Sequence, residues 1–600
     1  MLAHTRLAIV DPSDAGAQPM ISGDGRFHLV CNGEIYNFPE LRRELERSGR
    51  RFVSRCDTEV VLHGFDAWDV NLFERLNGQF ALAIYDSVEN RIVVARDRAG
   101  EKPLLLAPLP EGRGWVFGSE AKALFCWPEV SRKPNFSTLH DFLSYQYAVG
   151  DRTAFEDVFR LPAASYATLS AQGIETVRYW EPSSPDPDNG LAKDMDAVSE
   201  ELTRLIDQAV DRQSMSDFPV GVFLSGGIDS ASVARSISSR GLFPQTYSVG
   251  FSHFPEDEGD RAARTARFLK TDHHRLDGMG EIGPALLARA LWHFNEPIAD
   301  PAILPYFVLS EFASKHVKVV MGGEGADELL GGYSRYLACS AANRLFERCP
   351  KSFRRLLAHT ADSTRKAQRG PLPLRYLFRL MQEADRPSAQ RYFDWISVFG
   401  AVQKAELYYP ESPLAKFEDS ERIVEAFISG DRFDVEQAME FDFAYYLPGS
   451  LLPKADLMGM AHSLEVRSPF LDLDLIDFCD RLPVSIRLLD FLPKAPLRFA
   501  LEGKLPESVL ATSKTGFSVP IAAALNGPLR SLLDRLLSPE SIERRGLFDP
   551  DSVRDMVEGD LVQNRYRIWM LLILEAWMRI WCDPVTPPDS PEEAVALLAG

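Results

Sequence analysis

The chain has 600 residues, too many for a single hydrophobic core, and its 45% apolar and 25% charged residues are ordinary for a globular protein. Lysine and arginine together number 66, against 86 for aspartate and glutamate, so the net charge is −20. A surface of that sign repels phosphate backbones, which argues against nucleic acid as a partner.

The cysteines and the apolar stretches indicate the cellular compartment of the protein. Seven cysteines are an odd number and include no Cys-x-x-Cys pair, which favours reduced thiols in a cytoplasm. No basic stretch followed by an apolar one opens the chain, as a secretory signal would. The most apolar stretch, 568–581, is too short to span a bilayer and contains Glu575 and Arg579. We therefore expect a cytoplasmic protein with no membrane partner and a core helix over 568–581.

The first 180 residues are rich in short β-like runs separated by Asp, Gly and Asn turns. Pro39 suits the first turn of a helix that we predict to run to Leu45. This pattern predicts an α+β domain built on antiparallel sheets. Segment 181–194, rich in Pro, Ser, Asp and Gly, predicts a linker. The strands are predicted at RFHLVCNG, QFALAIYD, RIVVARD, GWVFGS and SYATLS.

After the linker, apolar strands alternate with helical stretches, which defines a second predicted domain over residues 195–600. A helix-like stretch, ELTRLIDQAVDRQ, precedes the strand VGVFL (220–224), and further strands are predicted at QTYSVGF and HVKVVMG. This alternation predicts an α/β domain whose parallel sheet is covered on both faces. Beyond Ser340 the pattern is mostly helical.

The hexapeptide SGGIDS (225–230) lies between the VGVFL strand and the next helix. Its glycines would let the backbone approach a phosphate, and the helix N-terminus would present free N–H groups to it. Asp229 suits a Mg²⁺ ion that bridges phosphates better than it suits a bare phosphate. The alternative is a plain turn in which serine or aspartate caps the helix.

A second loop, GGEGADELLGGY (322–333), follows the predicted strand HVKVVM. It carries three carboxylates within five residues, at Glu324, Asp327 and Glu328. Loops at strand ends are where α/β proteins bind ligands, so this one suggests metal and acceptor chemistry. The alternative is a solvated acidic turn.

SGGIDS resembles the pyrophosphate loop of the ATP pyrophosphatases, and no GxxxxGK[ST] loop is present. Together with GGEGADE, MAHSLEVRSPFLD (460–472) and SKTGFSVP (513–520), it resembles the asparagine synthetases. HTRLAIVDPSDAGAQPM, CNGEIYN, CDTEVVLHGF and RDRAGEKPLL are similar to the glutaminase domain of the glutamine-dependent members. The resemblance implies an N-terminal-nucleophile glutaminase-type domain, followed by an adenine-nucleotide α-hydrolase-like synthetase domain with a helical C-terminal part.

The resemblance implies ATP and Mg²⁺ as cofactors. A carboxylate acceptor, such as aspartate, would attack the α-phosphorus of ATP, and ammonia would then displace AMP to leave an amide. Lys514 and Glu324 would be catalytic, the first in adenylation and the second in orienting or deprotonating ammonia. Asp229 and Asp327 would hold the metal. The residues implied to contact ATP or pyrophosphate are Leu224, Ser225, Gly226, Gly227, Asp229, Ser230, Val249 and Gly323.

The resemblance also implies a glutamine pocket. Family members begin with a cysteine whose own α-amine activates its thiol. The chain as written begins with Met1, and its family-like segment begins at His4, so we expect that cysteine to lie upstream. As written, the chain is expected to use ammonium but not glutamine as nitrogen donor. The residues implied to bind glutamine are Arg6, Asn32, Gly33, Glu34 and Asp57.

Leu457 stands where the family usually has a basic residue, which leaves the acceptor open. One alternative is amidation of another carboxylate in secondary-metabolite, peptide or surface-polysaccharide biosynthesis. A second is a non-catalytic nucleotide-binding relative. A third, tRNA thiolation, would need a catalytic cysteine near the loop and a basic face, and the sequence shows neither. A homodimer is a possible assembly.

Overall fold

A computed structural model gives the fold and describes residues 1–170, 173–183, 194–250, 258–278, 281–346, 349–363, 381–428, 433–511 and 519–599. Antiparallel sheets lie in the amino-terminal part (residues 1–180) and a parallel sheet lies in the carboxy-terminal part (residues 195–600), as the sequence predicts. Most of the predicted linker, 181–194, lies outside the described residues, and the boundaries of the two domains stay a prediction.

The amino-terminal part contains two antiparallel sheets in the described residues, with strand orders β1-β2-β3-β4-β8-β9 and β6-β5-β7. The strands are β1 (Met20–Ile21), β2 (Phe27–Ile35), β3 (Gly78–Asp86), β4 (Arg91–Arg96), β5 (Leu105–Pro108), β6 (Trp115–Gly118), β7 (Phe159–Arg160), β8 (Ser165–Ser170) and β9 (Gly173–Arg178). The helices are α1 (Phe38–Arg47), α2 (Glu59–Trp68), α3 (Ala121–Leu124) and α4 (Phe136–Tyr145), with 3-10 turns at Asp14–Gly16, Asp69–Arg75 and Pro110–Gly112.

Both faces of the larger sheet are covered, because successive side chains of a strand point to opposite faces. On β3, Leu82 and Ile84 pack in one core with residues of α1 and α2. Ala81 and Ala83 face the other way and pack in a second core with Leu106 of the smaller sheet. The predicted helix after Pro39 is α1, whereas α2 and α4 were not predicted.

In the carboxy-terminal part, the parallel sheet has the strand order β12-β11-β10-β13-β14. Its strands are β10 (Val220–Phe223), β11 (Gln245–Gly250), β12 (Asp272–Asp277), β13 (Val319–Met321) and β14 (Glu465–Arg467). The chain moves outward from β10 through β11 to β12, and then crosses to β13 on the other side of β10. The loops after β10 and β13 therefore diverge at a topological switch point, where open α/β sheets form a crevice.

Helices form most of the rest of the described carboxy-terminal part. They are α5 (Met195–Gln213), α6 (Ile228–Ser238), α7 (Glu258–Leu269), α8 (Pro284–Phe294), α9 (Ile303–Ser314), α10 (Ala326–Leu330), α11 (Ser334–Phe346), α12 (Lys351–Ser363), α13 (Ser388–Ile396), α14 (Ala401–Leu407), α15 (Arg422–Ala426), α16 (Val435–Phe441), a π-helix (Asp442–Leu451), α17 (Leu452–Met460), α18 (Leu473–Asp480), α19 (Val484–Arg487), α20 (Ala495–Ala500), α21 (Glu507–Leu510), α22 (Ile521–Asn526), α23 (Arg530–Leu536), α24 (Pro539–Arg545), α25 (Pro550–Glu558), α26 (Leu561–Trp581) and α27 (Pro591–Ala599). Short 3-10 turns lie at Pro413–Lys416, Pro469–Leu471 and Leu489–Phe491.

The apolar stretch 568–581 forms most of α26, and its three tryptophans are fully buried, which confirms the predicted core helix. Its Glu575 pairs with Arg545 at 2.9 Å. Among the residues that the structure describes, no helix combines the length and the apolar character needed to cross a membrane.

A buried ion pair joins the two parts of the chain. Lys102, between β4 and β5, places its Nζ 2.6 Å from Oδ1 of Asp456 on α17. The exposed fractions of the two side chains are only 1% and 7%. Burial raises the pKa of Asp456, and the neighbouring Lys102 opposes that shift. Removing one partner would therefore leave a buried charge without compensation.

We expect Lys102→Met to lower the free energy of unfolding by about 3–5 kcal/mol, because Asp456 loses its buried partner. Urea unfolding followed by tryptophan fluorescence measures this loss. Lys315→Met breaks the exposed pair of Lys315 with Glu311 and serves as control, with an expected loss below about 0.5 kcal/mol. Equal losses in the two variants would contradict a buried pair at this junction.

Candidate active site

The loops after β10 and β13 enclose a cavity of about 330 Å³, which we call the switch-point cavity. Its volume falls in the range of pockets that hold small ligands. Most of the residues predicted for ATP and metal binding line it, although they come from separate stretches of the chain. These residues are Leu224, Ser225, Asp229, Ser230, Val249, Gly323 and Asp327, and the predicted catalytic residue Glu324 lines the cavity as well.

The SGGIDS loop turns sharply at Gly226, whose φ of 77° is in the left-handed region that favours glycine. A Cβ there would lie 2.7 Å from Cβ of Arg261, so the loop also needs glycine for space. Helix α6 begins directly after Gly227, and no side chain caps it at that residue. The plain-turn alternative, in which serine or aspartate caps the helix, is therefore not what the structure shows. The first N–H groups of α6 lack helical acceptors, as at any helix start.

Asp229 and Asp327 face a common cation. The Nζ atom of Lys494 lies 2.5 Å from Oδ1 of Asp229 and 2.6 Å from Oδ1 of Asp327. All three side chains are buried, and lysine is rarely buried unless it is paired. Lys494 also has a φ of 55°, an uncommon backbone conformation for a residue other than glycine. The structure thus adds a lysine to the site that the sequence did not indicate.

Two buried carboxylates around one cation also fit Mg²⁺, which typically takes one or two protein carboxylates together with phosphate oxygens and waters. Within the described ranges, no group of three or more His, Cys, Asp or Glu residues could hold a metal ion by itself. Asp229 and Asp327 would therefore supply two ligands, and phosphates and waters would supply the others.

Glu324 is held by a tyrosine. Its Oε1 accepts a hydrogen bond from the hydroxyl group of Tyr306 at 3.0 Å. Burial and the nearby Glu324 raise the pKa of Tyr306 well above its usual value, so the phenol stays protonated and donates. Gly322 leaves room for the carboxylate, because a Cβ at that position would collide with Glu324 Oε2.

The rest of the cavity wall comes from helices. Lys454 of α17 places its Nζ 2.6 Å from Oδ2 of Asp300. Glu328 accepts a hydrogen bond from Tyr333, and burial together with Asp327 raises the pKa of Glu328 to about 7. Leu457 packs in the apolar core and is not among the lining residues, so its difference from the family pattern gives no direct information on the acceptor.

A second, smaller cavity of about 40 Å³ brings together all five residues predicted to bind glutamine. Gly33 has a φ of 138°, and a Cβ there would collide with the carbonyl oxygen of Gln79. Ile35 donates its N–H to Asp57 at 2.8 Å. Met460 and Glu465 of the carboxy-terminal part complete the wall, so both parts of the chain contribute to this cavity. Its predicted glutamine ligands are Arg6, Asn32, Gly33, Glu34 and Asp57.

Glu34 and Arg6, on the wall of the small cavity, have different electrostatic surroundings. Burial, with Asp57 and Glu465 adding to it, raises the pKa of Glu34 well above its usual value, whereas Arg467 opposes the shift. Arg6 donates from Nη2 to the carbonyl oxygens of Val10 and Asp11, each at 2.8 Å, so its guanidinium is held in place by the backbone.

Comparison with known proteins identifies the family of the chain. The asparagine synthase family model matches residues 201–579, and the glutamine amidotransferase domain model matches residues 1–180. The chain belongs to the asparagine synthase family. Membership confirms the predicted enzyme class, a ligase that forms an amide at the expense of ATP.

Several relatives are similar over nearly the whole chain. Asparagine synthetase [glutamine-hydrolyzing] 1 of Bacillus subtilis is 30% identical over 96% of this chain and 89% of its own length. A putative asparagine synthetase [glutamine-hydrolyzing] of Mycobacterium tuberculosis is 32% identical over 99% of this chain and 91% of its own length. Amidase chry2 of Gibberella zeae is 26% identical over 93% of this chain and 86% of its own length.

The synthase family motifs account for most of the site, with three exceptions. Gly226 and Gly227 belong to the SGGIDS loop but are not among the residues that line the cavity. Lys514 lies outside the described residues. Lys494 was missed, and no pattern in its neighbourhood marks it. The only feature of the sequence that could have indicated it is a lysine in a mostly apolar stretch, and that feature is a weak indication.

We expect Gly332→Ala to lower ATP–pyrophosphate exchange by about 100-fold, because its Cβ would collide with Asp327 Oδ1 and Lys494 Cε. Gly283→Ala is the matched control, since nothing lies within 4 Å of a Cβ at that position. Unfolding curves show whether both variants fold. Normal exchange by folded Gly332→Ala would contradict the arrangement of Asp327 and Lys494 described above.

Proposed function

We propose that the chain is an asparagine synthetase that adenylates the side-chain carboxylate of aspartate and transfers ammonia to it, releasing AMP and pyrophosphate. The observation that carries this proposal is the meeting of Asp229, Asp327 and Lys494 beside the SGGIDS loop in the switch-point cavity. Glu324 lines the same cavity.

The phosphates of ATP carry charge that must be neutralised before a carboxylate can approach the α-phosphorus. We assign the N-terminal N–H groups of α6 and the hydroxyl groups of Ser225 and Ser230 to the pyrophosphate. Ser225 and Ser230 lie with their hydroxyl oxygens 3.1 Å apart, so both can face one anion. Leu224, Val249 and Gly323 would line the nucleoside.

Mg²⁺ would be held by Asp229 and Asp327, and when bound it would neutralise phosphate charge and polarise the phosphoryl oxygens. The ammonium group of Lys494, now between these carboxylates, is close enough to pair with a phosphate oxygen instead. Lys514 is proposed as a second cation for the adenylation step, by its position in the family-like SKTGF stretch.

Glu324 is proposed to orient ammonia and accept a proton from it. Its Oε1 is fixed by Tyr306, which leaves Oε2 for the nucleophile.

The amide nitrogen would come from ammonia or from glutamine. In the small cavity, Arg6 would bind the glutamine carboxylate and Glu34 with Asp57 its ammonium group, while Asn32 and Gly33 would form an oxyanion hole. Ammonium is the donor for the assay, because it needs no glutamine hydrolysis.

The cellular setting is also proposed. All seven cysteines are free, which supports a reducing cytoplasm. The small-molecule partners would be ATP, aspartate and glutamine or ammonia. A homodimer stays a prediction.

We expect Asp229→Asn and Asp327→Asn each to slow ATP–pyrophosphate exchange with aspartate, and AMP formation once ammonium chloride is added, by about 10²–10⁴-fold, because each removes a ligand for Mg²⁺. Asp534→Asn, at an exposed pair with Arg530, is the control and should exchange normally. Wild-type rates in either test variant at saturating Mg²⁺ would refute the metal assignment. Exchange that never depends on aspartate would refute the acceptor.

A further inference from the structure

The switch-point cavity contains two carboxylates that are held in the same way. The hydroxyl group of Tyr306 donates to Oε1 of Glu324 at 3.0 Å, and that of Tyr333 donates to Oε1 of Glu328 at 2.6 Å. In both glutamates the other oxygen, Oε2, is buried and has no hydrogen-bond partner among the described residues. Such an oxygen is costly unless a ligand supplies a donor.

These two glutamates differ from the other carboxylates that line the cavity, because the others each have a cationic partner. Asp229 and Asp327 share Lys494, Asp300 pairs with Lys454 at 2.6 Å, and Glu258 contacts Arg261 at 3.5 Å. Within the part of the chain that the structure describes, no cationic side chain lies within 4 Å of Glu324 or Glu328. A buried carboxylate without a cation favours binding a positively charged group.

Glu324 has a proposed partner, the ammonia that attacks the adenylate, whereas Glu328 has none. Only 2% of Glu328 is exposed to solvent, and it faces the cavity. Its position is fixed through Tyr333, whose ring lies 3.8 Å below the guanidinium of Arg335. Arg335 is itself paired with Asp442, at the start of the π-helix that contributes Tyr446 and Leu451 to the cavity wall. π-Helices are frequent at functional sites.

We propose that Oε2 of Glu328 binds the ammonium group of the acceptor. The acceptor is then an amino acid or another carboxylate that carries an amine, and Glu328 determines that specificity. This inference rests on the proposed function, since it concerns the acceptor of the same reaction. A site built to bind a substrate N–H group rejects an analogue that lacks it, because the buried acceptor is left unpaired.

Aspartate and succinate differ only in the amine, so the pair isolates this contact. Isothermal titration calorimetry on the full chain, with Mg²⁺ and a non-hydrolysable ATP analogue, should show aspartate binding at least 100-fold more tightly than succinate. Glu328→Gln keeps the size of the side chain and should weaken aspartate binding at least 10-fold while changing succinate binding less than 3-fold. Tyr333→Phe keeps the carboxylate and should weaken aspartate binding only a few-fold. Glu543→Gln, at an exposed position on α24, is the control and should bind both as wild type does.

Several results would overturn the inference. One is an unchanged ratio of aspartate to succinate affinity in folded Glu328→Gln. Another is a loss that is equal for both ligands, or that is recovered by raising Mg²⁺, since Glu328 would then belong to the metal site. If wild type prefers neither aspartate to succinate nor glutamate to glutarate, the inference also fails. Selective aspartate binding without ATP–pyrophosphate exchange would instead refute the proposed function and leave the ammonium site standing.

Discussion

The site depends on holding two like charges together. Asp229 and Asp327 lie in the first turns of α6 and α10, which follow neighbouring strands, and two buried carboxylates repel unless a cation lies between them. Lys494 supplies that cation at 2.5 and 2.6 Å. Glycines allow the approach, since a Cβ at Gly323 would lie 2.8 Å from Cβ of Asp229 and one at Gly332 would collide with Asp327. The elements that follow β10 and β13 can therefore close on a shared charge.

Parts of this arrangement could be predicted because they are local. The apolar strand β10 followed by SGGIDS, and β13 followed by GGEGADE, each place a backbone turn and its chemistry within a dozen residues. Strand alternation in the amino-terminal part is equally local, and β8 keeps a strictly alternating burial pattern. For the same reason the core helix over 568–581 followed from its composition alone.

Other parts could not be predicted because distant residues decide them. Lys494 pairs with Asp229 across 265 positions of sequence, and no local pattern connects the two. Strand β14 has only three residues, two of them charged, so its sequence does not indicate a buried strand. The strand can be buried because the guanidinium of Arg467 donates hydrogen bonds to Glu465 and to the carbonyl oxygens of Gln213 and Met215. Tertiary partners thus override the local polarity.

That same arginine connects the two cavities. Its Nη2 lies 3.5 Å from Oε1 of Glu34 in the small cavity, while its carbonyl oxygen accepts the N–H of Gly322, at the start of the loop that carries Glu324. Arg467 is fully buried, so it cannot turn to water when the charge around Glu34 changes. An ammonium group at Glu34 would compete with Arg467 for the same carboxylate. Strand β14 therefore gives the two cavities a shared structural element.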